Sequence, residues 1–329
     1  MITILASIPT IFILAYLSVR SYIPEWNEPD RGFRFFKDDW GKIFLGSGAF
    51  ATLLSLLLEV ATNANTITSI AVGAVSGLLL IGSYTDSLVT KVPGEISSMV
   101  IKFSFALGFA ALISNALQNP QIKFFDTFYI YSWGQDPYIW ILGGLGVCFI
   151  GFLLWMRMNN IIGMLAICLS AAGLFVSIYM TLEWVVQSFF ISDAFWSYFF
   201  RHGLASMFAF VLLVVALELA AGSKLGGADS QALYAIGWGF AAIVGQTVLA
   251  FGLIIACFVQ LLLHFVAKPL KIGHEKEVQN SSFRQARVNK KWSGEGEAPT
   301  TRKVWAVPFL PVMNISIIAT VVTAIFIAS

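Results

Sequence analysis

Residues 231–266 read QALYAIGWGFAAIVGQTVLAFGLIIACFVQLLLHFV, an unbroken stretch without Asp, Glu, Lys or Arg. A straight helix of that length would run about 54 Å, well beyond a hydrocarbon core of about 30 Å. Folded in two, the same residues make a tight pair of spans. Gly245, near the middle, is the natural turn because glycine accepts backbone angles that other residues avoid. The rest of the chain has the same character. Of its 329 residues 58% are hydrophobic and 12% are charged, with a mean hydropathy of +0.80. Soluble domains carry about 25% charged residues, so this chain cannot clothe itself in a hydrated surface. A balance of 20 Lys and Arg against 18 Asp and Glu leaves a net charge of +2 and excludes a basic nucleic-acid footprint. Cys148, Cys168 and Cys257 lie in apolar runs with no CxxC pair, which argues against a thiolate metal site or a disulfide framework. No metal and no cofactor are expected.

Besides 231–266, candidate spans cover 2–18, 43–61, 66–84, 97–117, 138–156, 160–182, 203–221 and 306–328. Loop 267–303 carries nine Lys or Arg, from Lys268 to Lys303, and loop 19–42 carries Arg20, Arg31, Arg34, Lys37 and Lys42. Both belong in the cytoplasm by the positive-inside rule. The loops holding only Lys123 and Arg201 belong outside. Counted from loop 19–42, a single crossing in 231–266 would strand the basic loop on the wrong side, and two crossings restore it. The sequence therefore predicts an all-α polytopic membrane protein of about ten transmembrane helices, including a tight hairpin at 231–266, in the cell membrane with both termini outside. Its parts are N-terminal helices in 1–65, a helix pair in 66–137, a helical hairpin in 138–182, a region with a further hairpin in 183–266, a basic loop in 267–304, and a last helix in 305–329. The loop lacks apolar periodicity and reads as flexible or a small folded segment. Aromatic residues crowding the span ends, such as Phe195-Trp196-Ser197-Tyr198, read as an interfacial belt.

Charge inside or beside a membrane helix is costly, so its positions are informative. Two carboxylates stand apart. Asp86 sits in Gly82-Ser83-Tyr84-Thr85-Asp86, with Val92-Pro93 after a gap of five residues, and Asp229 closes Gly226-Gly227-Ala228-Asp229. The topology places both at the cytoplasmic edge, at one depth. Two such carboxylates are the equipment of an aspartic protease: one takes a proton from water while its protonated partner polarises the scissile carbonyl. Asp229 opens a helix, where the dipole and free N–H groups favour a carboxylate, so it is expected to act on water while Asp86 carries the shared proton. Glu59, Glu183 and Glu218 read as structural, as do His202 and His264 at helix ends. Three His residues without HExxH exclude the usual zinc peptidase.

Ser83, Asp86 and Val92-Pro93 resemble the first active-site motif of type IV prepilin peptidases and archaeal preflagellin peptidases. Gly226-Gly227-Ala228-Asp229 resembles their GxGD motif, and Val307-Pro308-Phe309-Leu310-Pro311 their entry to the last helix. The resemblance spans roughly 66–117 and 203–328, and leaves helices in 1–61 and 138–182 as additions. It implies a membrane aspartic endopeptidase with Asp86 and Asp229 as catalytic residues, supported by Gly226, Gly227, Ala228 and Pro93. Such an enzyme removes basic leader peptides from pilin-like or archaellin-like precursors at the cytoplasmic face. Ala228 departs from the family's glycine and is tolerable only where φ is negative. The paired CxxC motifs of many bacterial members are missing, and their N-methylation activity is not carried over. Glu95 is the acidic side chain expected to meet a basic leader. Presenilin-like GxGD proteases fit less well, because Thr85 precedes Asp86 where they carry Tyr. A polytopic transporter or a non-catalytic assembly subunit is the reading from another class; a transporter predicts inverted repeats and charges near the bilayer midplane.

Overall fold

Helices form over the long apolar runs and stop where Gly, Pro or clustered polar residues intervene. In the computed structural model they are α1 (Ile2–Val19), α2 (Ile23–Trp26), α3 (Trp40–Ala61), α4 (Thr66–Val89), α5 (Gly94–Gln118), α6 (Pro137–Arg157), α7 (Ile161–Phe189), α8 (Ala194–Ser197), α9 (Ala205–Ala221), α10 (Gly227–Ala267) and α11 (Phe309–Ala328). Strands β1 (His274–Gln279) and β2 (Thr301–Ala306) lie between α10 and α11. The structure describes residues 1–28, 33, 39–89, 91–118, 137–157, 161–189, 194–221, 227–267, 269, 274–279, 301–306 and 308–329. Among the described residues, eight helices are long and apolar enough to cross a membrane. Helices suit that setting because every interior N–H and C=O is satisfied within the segment. The chain is a multi-pass helical membrane protein.

Helix α4 is the axis of the bundle. Its apolar window is 83% buried, against 11% for the corresponding window of α6. Helices α3, α5, α10 and α11 all pack on it. Apolar side chains gain little by leaving lipid for protein, so close packing of small residues has to hold such helices together. A methyl group added at Gly73 or Gly77 of α4 would strike Ser55 or Ser47 of α3, and one at Gly108 of α5 would strike the Trp238 carbonyl of α10. Ala71, Ala74, Val75, Ser76 and Leu78 complete the buried face of α4. The pair α6 and α7 packs mainly on itself and reaches the bundle through α9.

Helix α10 reverses direction. At Gly245 the backbone has φ 80° and ψ 156° inside an otherwise helical run. Ahead of the reversal, Ala228 shares a cavity with Leu310, and Ile243 shares one with Ile325. This arm therefore runs parallel to α11. Behind it, Gly252 faces Thr320 and Ile317, so the second arm runs back along α11 toward the end where it began. The turn anticipated at Gly245 is where the structure puts it.

One boundary differs from that expected. The last helix begins at Phe309, not at 305, because Trp305 and Ala306 belong to β2 and Pro308 caps the helix with φ −54° and ψ 119°. The ψ of Pro308 itself is far from helical, so the first helical residue is Phe309. Of the two readings open for segment 267–304, flexible or a small folded segment, the strands favour the second: β1 and β2 pair antiparallel, from His274 opposite Ala306 to Gln279 opposite Thr301.

Glycine's two uses here can be separated by substitution. Gly245→Ala forces a side chain into a backbone region that is almost exclusively glycine's, and should cost about 1–3 kcal/mol. Gly108→Ala overpacks the α5–α10 contact and should cost about as much. Gly143→Ala meets open space, with nothing within 4 Å, and should be neutral. Thermal unfolding of the purified protein in detergent measures all three, and equal losses at 108 and 143 would refute the packing argument.

Candidate functional site

Asp86 lies in the last turn of α4 and Asp229 in the first turn of α10, and both are half-buried. Their surroundings converge. Gly82, one turn before Asp86 on the same helix face, lines a cavity of about 20 Å³ with Val92, Ala228, Gln231, Leu310 and Asn314. Both motifs and the entry to α11 thus enclose one space at one end of the bundle. Pro93 is buried, and its carbonyl accepts the Ser97 N–H at 3.2 Å in the first turn of α5. Ala228 sits within the regular part of α10, where only Gly245 departs from helical angles, so its methyl group is unstrained. Gly227 is exposed and has open space around it. Gly226 lies outside the described residues, as do the side chains of Glu183, His202 and His264.

A groove of about 680 Å³ opens on the neighbouring face of α4, walled by α3 and α11. Its polar lining comes from Asp39, Lys42, Ser47, Ser83, Tyr84 and Ser87, and its apolar lining from Ile43, Phe50, Leu80, Leu88 and Ile315 among others. Lys42 Nζ and Asp39 Oδ1 pair at 2.6 Å at its rim, an exposed ion pair of small energetic weight. The groove has hydroxyls along an apolar trough. That combination suits a peptide whose backbone needs partners while its side chains stay in an apolar setting.

Glu95 is half-buried in the first turn of α5 and accepts a hydrogen bond from Trp26 Nε1 at 3.0 Å. Trp26 is fully buried, and its ring lies 4.7 Å from that of Trp40, with Phe33 packed beyond. The segment after α1 is thereby clasped against the end of the bundle that carries the two Asp residues. Sequence reading assigned loop aromatics to the interface and missed this clasp. Its one signal was an amphipathic Trp beside Pro24, which opens α2. Asn314 was missed as well: it is buried in α11 and bonded to Ser83 Oγ at 2.8 Å.

Glu218 and Glu59 have structural partners. Glu218 accepts from the Tyr234 hydroxyl at 2.6 Å, joining α9 to α10. Glu59 accepts from Thr66 Oγ1 at 3.2 Å and from the Met1 amine at 3.0 Å, at the opposite end of the bundle from Asp86. Among the described residues, no three His, Cys, Asp or Glu side chains converge as a metal site would require. No protein-family model, curated protein or solved structure matches this chain.

Removing Glu95's carboxylate leaves a buried indole N–H unsatisfied, at a cost of about 1–3 kcal/mol. Glu95→Ala should therefore lower the unfolding temperature clearly, while Glu95→Gln, which keeps an acceptor, should recover most of the loss. If Glu95→Ala unfolds at the wild-type temperature, the clasp contributes nothing to stability.

Proposed function

We propose that the chain is a membrane aspartic endopeptidase of the prepilin and preflagellin peptidase type, acting on precursor proteins with short basic leaders. The observation that carries this reading is the single cavity lined by Gly82 and Val92 on one side and Ala228 on the other, which joins the neighbourhoods of Asp86 and Asp229. In this reading Asp229 draws a proton from water, and the water attacks the scissile carbonyl. Asp86, holding the shared proton, donates a hydrogen bond to the carbonyl oxygen as it gains charge. The proton then passes to the leaving amine and the pair is reset.

The substrate lies in the groove beside α4, and Asp39 at its rim faces a basic leader together with Glu95. The bundle makes ten crossings: the eight long apolar helices, α7, and the returning arm of α10. The basic segment 267–303 and both Asp residues are then cytoplasmic, and the enzyme belongs to the cell membrane. No cofactor takes part. A transporter would place its key charges near mid-membrane; here Asp86 and Asp229 lie in terminal turns, which supports the peptidase.

Co-expression with a precursor bearing a basic leader tests the reading. Wild type should release the leader as a mobility shift on gels. Asp86→Asn and Asp229→Asn should each lower the rate by at least about a hundredfold with the protein still folded, since Asn keeps the size and an acceptor oxygen of Asp but cannot transfer the proton. Cleavage that persists in either variant, or that never occurs in wild type with a panel of such precursors, rejects the proposal.

A further inference from the structure

The Asn314 side chain is fully buried in α11. Its Nδ2 donates to the Leu79 carbonyl at 3.1 Å and to Ser83 Oγ at 2.8 Å. A carbonyl oxygen only accepts, so the contact with Leu79 decides which end of the amide is nitrogen. Asn314 Oδ1 is then left buried with no hydrogen-bond partner. An orphaned amide acceptor in an apolar interior is costly, and native structures seldom leave one. The same side chain lines the cavity between the two Asp motifs, where the other polar wall residues are Ser97 of α5 and Gln231 of α10. The cavity measures about 20 Å³. One water needs about 10–15 Å³ and about three polar partners.

We propose that this cavity holds one ordered water, bridged by Asn314 Oδ1, Ser97 and Gln231, and that Asn314 is a positioning residue for the site. The amide nitrogen grips α4 one turn before Asp86, while its oxygen, through the water, ties α11 to α5 and to the first turn of α10. Ser83 reinforces the grip: its hydroxyl donates to the Leu79 carbonyl at 3.0 Å, and its own carbonyl accepts from Ser87 Oγ at 2.7 Å. Four helices thus meet at one polar node beside the two carboxylates. The positioning role rests on the peptidase reading. The water does not.

An experimental structure of the full chain, resolved well enough to show ordered water, tests the site directly. Density between Asn314 Oδ1 and Ser97 is expected, and a dry cavity overturns the proposal whatever the protein catalyses. Cleavage kinetics test the role. Asn314→Leu should lower kcat about tenfold with KM within twofold, and Ser97→Ala should lower kcat about threefold. The double variant should be little worse than Asn314→Leu, because both changes remove the same water. Multiplying losses, or an unchanged kcat with only a lower unfolding temperature, would reduce Asn314 to a structural residue and overturn the role. If Asn314→Leu fails to fold, Ser97→Ala and Gln231→Leu carry the same comparison. Failure of wild type to cleave any precursor counts against the peptidase alone, since the density still decides the water.

Discussion

A helix packed against four others has to be slender, and α4 meets that requirement with Gly73, Ser76 and Gly77 and a face rich in Ala and Val. In lipid no large hydrophobic gain presses the neighbours inward, so dispersion and short backbone approaches decide how close they come. The consequence reaches the site. A helix so packed cannot tilt or slide without displacing four neighbours. Asp86 in its last turn is therefore held by the whole bundle rather than by a local loop. Asp229 gains its placement differently, from the first turn of a helix that runs alongside α4 and is locked to α5 at Gly108.

The helices that carry neither Asp motif contribute unequally. Helix α3 forms one wall of the groove beside α4 and supplies Lys42 and Ser47 to it, and its first residue, Trp40, packs on Trp26 of α2 in the clasp. Both lie at the end of the bundle that carries the two carboxylates. Helices α6 and α7 touch neither motif through the contacts described; glycines at 144, 151 and 173 let them approach each other closely. Helix α3 and the segment before it thus bear on access to the end of the bundle that carries Asp86 and Asp229, and the α6–α7 pair bears on α9.

Features that depend on length, charge balance and backbone permissiveness were legible in the sequence. The reversal at Gly245 followed from a stretch too long for one crossing and from the parity of the basic loops. The regular geometry at Ala228 was legible only as a condition on φ, and the structure meets that condition. Pairings between residues far apart were not legible. Trp26 and Glu95 are separated by 69 positions, and Asn314 and Leu79 by 235. A single sequence carries no information on which distant polar groups meet, because each is compatible with many partners. The strands β1 and β2 escaped notice because a solvated two-stranded ribbon needs no apolar alternation, and Pro308 was read as part of a helix entry when it sets the boundary.

The pairing of β1 with β2 changes what the segment between α10 and α11 costs as a polymer. Without it, those helices would be joined by a tether running from Ala267 to Phe309. With His274 beside Ala306, the tether that α10 and α11 feel is only the few residues on either side of the ribbon. Closure entropy grows as the logarithm of loop length, at about 0.6 kcal/mol per doubling. The ribbon thus acts as a clamp that shortens the connection between the two helices.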